Sequence, residues 1–195
     1  MSGLIVPYRG ITPKIAEDVF VAETAVIIGD VEIAAGSSIW YGCVLRGDTN
    51  KISIGRNTNL QDGTVVHGNH DRDGDYRETG GGEPALIGDD VVVGHMALLH
   101  ACTVGDGAFI GMRSLVLDRA VVEPGAMVAA GALVTPDKVV ESGQLWAGTP
   151  ARYARDLRDD ELAEAAYFVR HYRALAGEYR ARLAAEGAAV PQEGA

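Results

Sequence analysis

The chain has 195 residues, 47% of them hydrophobic, enough for one ordinary domain with a sizeable core plus an appendage, and too apolar for global disorder. Acidic residues outnumber basic ones 27 to 17, and the formal charge of -10 leaves no electrostatic footprint for nucleic acid or an anionic membrane surface. No stretch reaches the roughly 18 apolar residues of a membrane span, and the opening "MSGLIVPYRGITPKIAEDVF" lacks the pattern of a secretory leader, so the sequence predicts a cytoplasmic protein without a membrane partner. Cys43 and Cys102 form neither a CxxC pair nor a disulfide framework and read as buried free thiols.

The 25 glycines recur at short intervals and are not gathered in linkers, which directs attention to an internal repeat. From Val21 an aliphatic residue returns every six positions, with a small residue four positions after it: "VAETAV", "IIGDVE", "IAAGSS", "IWYGCV" and a unit from Leu45. After a three-residue slip the series resumes at Ile54, Leu60 and Val66, is interrupted by "HGNHDRDGDYRETGGGEPAL", and returns at Ile87, Val93, Leu99 and Val104 and onward to Val134. About fourteen units hold the phase. A period of six with one aliphatic anchor is not a helical stripe, and the Gly and Val content argues against helix as well. The fit is a parallel β-solenoid of short strands, three units to a triangular turn, with turns stacked about 4.8 Å apart. The repeat resembles the hexapeptide of left-handed β-helices, and the left hand is what that resemblance implies.

After Val134 the repeat decays, and from about Asp159 the period becomes helical, with Leu162, Ala165, Val169, Tyr172, Ala176, Tyr179 and Leu183 on one face. The sequence therefore predicts an all-β left-handed parallel β-helix over 1–155 with an inserted loop at 68–86, and a C-terminal α-helix over 156–187. That helix is expected to pack on the side or the open end of the solenoid, with Gly187 as its stop and a flexible tail over 188–195.

Counting along the coil places the histidines. Val66, Ile87, Val93 and Leu99 are successive anchors, so Val66 and Leu99 share a column, and His67 and His100, each one residue after its anchor, share a face in adjacent turns. Leu45 belongs to the same column and puts Arg46 beneath His67. His95, two residues after Val93, falls on a neighbouring face beside Gln61 and Asp62. A lone histidine is ordinarily a surface or capping residue. Two on one face and one on the next, turned by the triangle, become a ligand set when three chains assemble around a threefold axis, each junction joining one chain's pair to its neighbour's single histidine. Three imidazoles with an open fourth position suit a catalytic zinc, and they suit iron(II) or cobalt equally.

The stretches "RGDTNKISIGRNTNLQDGTVVH" and "VGHMALLHACTVGDGAFIGMRSLVLD", with "GTPAR" before the final helix, resemble the γ-class carbonic anhydrases and their close relatives over nearly the whole chain. The resemblance implies a homotrimer in which His67 and His100 of one subunit and His95 of the next bind the metal. It also implies that Gln61, with Asn59 nearby, orients the attacking hydroxide, and that Arg46, Asp48 and Asp62 form an intersubunit ion-pair set whose plain role is structural. The implied reaction is attack of metal-activated hydroxide on carbon dioxide to give bicarbonate, followed by proton export. At the export step the chain departs from the family pattern: Thr49 and His70 stand where glutamates are expected. Histidine is a residue type suited to a proton shuttle, and His70 is equally read as a solvated loop residue. Tyr167 and His171 on the final helix are further candidates to reach the pocket, with packing as their plainer role. Other readings are a hexapeptide acyltransferase or a metal-dependent thioesterase acting on a coenzyme A thioester, and a weakly active or noncatalytic homologue. The intact histidine set weighs against a lone general base and against a scaffold.

Overall fold

In the computed structural model, which describes residues 3–189, the repeat winds into a left-handed parallel β-helix with three faces. Seven strands stack on each face. On the first, Val21, Ile39, Leu60, Val93, Ile110, Val128 and Trp146 stand in one column. The second carries Ile5, Ile27, Leu45, Val66, Leu99, Val116 and Val134, and the third Ile15, Ile33, Ile54, Ile87, Val104, Val122 and Val140. These anchors line a single hydrophobic core along the axis, most of them fully buried. A two-residue strand has too few hydrogen bonds of its own, so each turn depends on the backbone of the turns above and below it.

The corners explain the rest of the repeat. At most corners the third residue after an anchor takes positive φ, as at Gly63 (73°) and, one turn up, Met96 (58°), the second a costlier choice for a side chain; after Leu99 it is the second residue, Ala101 (47°). The fourth points inward where the triangle is narrowest, which is why Ala97, Ser114 and Ala132 are small and buried.

The repeat decays in sequence after Val134, but the coil continues within the range 1–155 expected of it. Val140 stacks on Val122 and Trp146 on Val128, completing another turn past Val134. Strand Gln144–Gly148 then pairs antiparallel with Ala151–Asp156, which covers that end of the first face. The excursion between Val66 and Ile87 replaces one step of the coil, since Ile87 lies in register with Ile54. It holds a short helix, Tyr76–Thr79, and is clamped to the coil by buried Asn50, whose Nδ2 donates to the carbonyls of Asn69 (3.1 Å) and Gly81 (3.2 Å).

The final helix spans Asp159–Ala189. It starts later than the expected 156, because Asp156 still belongs to a strand, and Gly187 does not end it; residues 190–195 of the expected tail lie outside the described residues. Glu161 fixes the start by accepting from the Arg158 backbone N–H (3.0 Å) and from both terminal nitrogens of Arg155 (2.7 and 2.8 Å). The helix runs along the side of the solenoid, on the first face. There Tyr172, Ala176, Tyr179 and Leu183 pack on Phe20, Ala22, Trp40 and Tyr41. Leu162, expected in that stripe, is 45% exposed, and Phe168 and Leu175 are the partly buried residues that join it instead. Among the described residues no helix is long and apolar enough to cross a membrane.

Candidate metal centre

Strands Val44–Ile54, Val65–His67 and Leu98–His100 are neighbours on the second face, and their register places Arg46, His67 and His100 on three successive turns. The two imidazoles face each other, with His67 Nδ1 3.1 Å from His100 Nε2. Below them Asp48 Oδ1 lies 3.1 Å from His67 Nε2, and Asp48 is itself paired with Arg46 at 2.7 Å. Above them, on the turn after strand Leu115–Val116, Asp118 Oδ1 lies 2.5 Å from His100 Nδ1. The result is a ladder of carboxylate, imidazole, imidazole and carboxylate on four consecutive turns.

Proton accounting along the ladder defines its chemistry. The Thr49 hydroxyl donates to the Gly68 carbonyl at 3.1 Å, so its oxygen accepts from His67 Nε2–H, also at 3.1 Å. Burial raises the Asp48 carboxyl, but hydrogen bonds from Arg46 and His67 outweigh it and hold Asp48 below its ordinary value, so it too can only accept. Burial holds His67 below the usual imidazole range, with the Arg46 charge adding to it and the Asp48 hydrogen bond opposing it. A neutral imidazole has one N–H. In a pair of neutral rings, an N–H of His67 shared by Asp48 and Thr49 and an Nδ1–H of His100 given to Asp118 would leave lone pairs on His67 Nδ1 and His100 Nε2, facing one another. Two nitrogens bound to one tetrahedral zinc at about 2.0–2.1 Å stand about 3.3 Å apart, close to the spacing found. The donor set fits a metal ion.

His95 stands at the corner between the first and second faces. Its Nδ1 lies 2.9 Å from Asp62 Oδ2, and its side chain is 38% exposed. Beside it opens a cleft of about 310 Å³ walled by Gln61, Phe109, Met112, Met127, Phe168 and Tyr172. Gln61 is 6% exposed and donates from Nε2 to Asn59 Oδ1 at 3.3 Å. Asn59 Nδ2 is buried without a hydrogen-bond partner among the described residues. Within one chain, no three or more His, Cys, Asp or Glu side chains among the described residues gather to hold a metal. His67 and His100 occupy one face and His95 the next, as the coil count predicts.

The other expected site residues are dispersed. Arg46 and Asp48 pair with each other, while Asp62 binds His95 and accepts from the Tyr41 N–H at 3.2 Å. His70 lines a separate 240 Å³ pocket with Tyr8, Arg9 and Tyr76, whose wall toward His67 is formed by Asp48 and Thr49. Tyr167 is 53% exposed and stacks on His171 with centroids 5.7 Å apart, on a helix that packs on the first face and not on the second. Asp118 is the residue that the sequence reasoning missed. Its signal is the same spacing of eighteen, one turn, that relates the coil's columns, counted upward from His100.

The second face also carries an outward apolar column. Val44, Val65, Leu98, Leu115 and Leu133 lie in register beside the histidines; Val65 is 37% exposed and Leu115 36%. At the adjoining corner Met96 and Met112 are 59% and 55% exposed.

No protein-family model matches the chain. It is 50% identical over 165 residues to "Gamma carbonic anhydrase 2, mitochondrial" of Arabidopsis thaliana, an alignment that covers 85% of this chain and 58% of that protein, so the chain spans about six tenths of the plant relative's length. It is 40% identical over 169 residues to "Carbonic anhydrase" of Geobacillus kaustophilus, covering 87% of each. Among solved structures, a hexapeptide transferase family protein from Anaplasma phagocytophilum superposes with a TM-score of 0.82 at 45% identity, over 92% of this chain and 99% of that one. The register of the histidines and these relatives lead to one conclusion: the chain belongs to the γ-class carbonic anhydrase family of hexapeptide-repeat proteins.

Proposed function

We propose that the chain assembles as a homotrimer whose three sites each take His67 and His100 from one subunit and His95 from the next, and that these sites hydrate carbon dioxide reversibly to bicarbonate. The observation that carries this reading is the approach of His67 Nδ1 to His100 Nε2 at 3.1 Å, with the other nitrogen of each ring on a carboxylate and the third imidazole one face away. Asp62 orients His95 as Asp48 and Asp118 orient the other two, so each of the three rings has a carboxylate on its far nitrogen. The apolar column on the second face is the surface that assembly would cover.

Zinc, iron(II) or cobalt fits an all-imidazole set, and a zinc ion bound there supplies hydroxide at neutral pH by lowering the pKa of water to about 7. The chain's own residues set the rest. Gln61, held by Asn59 through Nε2, keeps its Oε1 to accept a hydrogen bond and so to orient the nucleophile. Phe109, Met112, Met127 and Phe168 give the neighbouring cleft an apolar wall suited to carbon dioxide. His70, in its pocket behind Asp48 and Thr49, is the residue assigned to proton export, with Tyr167 and His171 as outer alternatives. The reading includes a cytoplasmic location, which two buried free thiols suit.

Complementation tests the shared site. His67→Ala and His95→Ala proteins should each be inactive in stopped-flow carbon dioxide hydration. Unfolded and refolded together in equal amounts, they should regain roughly a quarter of the wild-type activity, since half the histidine-pair faces and half the single-histidine faces are intact. A mixture no better than its parents would refute sharing between subunits, and metal-loaded wild type with no activity above the buffer blank would refute the anhydrase reading.

A further inference from the structure

The upper end of the ladder is built differently from the lower. Asp48 is held by Arg46, from its own strand. Asp118 is gripped on both oxygens from two directions: Oδ1 takes His100 Nδ1 at 2.5 Å, and Oδ2 accepts from Asn69 Nδ2 at 3.0 Å. Asn69 lies in the inserted excursion, forty-nine positions away in sequence. Its backbone is fixed in turn, exchanging hydrogen bonds with Glu83 (2.8 and 3.2 Å) and giving its carbonyl to buried Asn50. Arg119, next to Asp118, reaches Glu83 at 3.6 Å. The excursion is thus tied to the coil at the carboxylate that orients His100.

We propose that Asp118 is a positioning residue that fixes the tautomer of His100, presenting Nε2 as a lone pair, and that Asn69 couples the inserted loop to this choice. Which imidazole nitrogen bears the proton is set by the partner of the other, and removing such a partner typically weakens metal binding 10- to 100-fold. Without a carboxylate at Oδ1, nothing in the ladder holds the proton on Nδ1, and His100 Nε2–H can donate to His67 Nδ1 instead, occupying both inner nitrogens. Without Asn69, Asp118 still faces His100 Nδ1 but loses its second anchor, so the effect has the same sign and is smaller. The inference rests on the metal-site reading for its consequence, though not for its geometry.

Two measurements test it. In metal-free protein, ¹⁵N-resolved imidazole spectra should show His100 in the Nδ1–H form, and Asp118→Ala should move it toward Nε2–H. Zinc affinity, read by competition with a chelator, should fall about 10- to 100-fold in Asp118→Ala, less in Asp118→Asn, which retains one acceptor oxygen, and less again in Asn69→Ala. An unchanged tautomer in Asp118→Ala would overturn the proposal, as would a changed tautomer with zinc affinity within about twofold of wild type. Wild type that takes up no zinc would sink the metal-site reading itself, while the spectra, recorded without metal, still decide what Asp118 does.

Discussion

The first and second faces of the solenoid are made from the same repeat and end in opposite states. Both carry large apolar side chains pointing outward beside the anchors. On the first, Phe20 and Trp40 are 1% and 4% exposed because Tyr172, Ala176 and Tyr179 of the final helix lie over them. On the second, Val65 and Leu115 remain partly open, and the column they belong to runs the length of the coil alongside His67 and His100. A solenoid strand cannot fold back to bury its outer face, so each face needs a separate cover. The chain supplies one cover itself. Of the two faces it leaves bare, the second is the one that bears two of the three expected ligands, so in the proposed trimer assembly and chemistry would share one surface.

Charging the second face should break this arrangement most severely. Val65→Glu with Leu115→Glu places carboxylates at outward positions where the coil has no need of the lost side chains, so the far-ultraviolet dichroism should stay that of wild type. Sedimentation should show single chains in place of trimers, bound zinc should fall from about one per chain toward none, and carbon dioxide hydration should drop to the buffer rate. A charged variant that stays trimeric, or a monomer that stays active, would contradict the division of labour between the faces.

The covered face should respond in the opposite way. Trp40 packs against Phe20, Tyr179 and Tyr172 at centroid distances of 5.0, 5.2 and 5.4 Å, and its indole N–H donates to Ser38 Oγ at 3.0 Å. Trp40→Ala empties the centre of that cluster and should cost about 3–5 kcal/mol of stability in denaturant unfolding. The trimer and its zinc content should persist below the melting transition. A change of assembly state without loss of stability would mean that the helix-covered face is the intersubunit one.

The same contrast separates what was legible in the sequence from what was not. Coil phase is set by buried anchors that tolerate only aliphatic residues, so counting from Val66 to Leu99 sufficed to stack His67 on His100 and to place His95 beside Asp62. The repeat fades in the last turn because Lys138 and Gln144 replace the small corner residue and Trp146 replaces an aliphatic anchor, all tolerable near an end that an antiparallel strand covers. Asp118 escaped the sequence reading: carboxylates are common at the exposed corners, so a spacing of one turn above His100 does not stand out until its 2.5 Å approach to that ring is seen. The helix stripe is displaced near its start, where Leu162 is exposed and Phe168, its ring 6.1 Å from that of Phe109, makes the contact with the first face.

The smallest effect concerns the joint where the cover begins. Hydrogen bonds from Arg155, then from the Arg158 N–H, hold the Glu161 carboxyl down to about 2 from an ordinary 4.5. A carboxyl whose pKa is depressed on folding stabilises the native state above its unfolded value and ceases to do so as pH falls through the folded one. Glu161→Gln keeps the size and one acceptor oxygen but not the charge, so its melting temperature should lie a few degrees below wild type near neutral pH. That gap should close between about pH 4.5 and about pH 2, as wild-type Glu161 itself becomes neutral. The trimer should be unaffected, because the joint belongs to the covered face. A gap that stays constant from about pH 6 to about pH 3 would show that the amide substitution disturbs packing, and that the Arg155 ion pair does not fix where the helix starts.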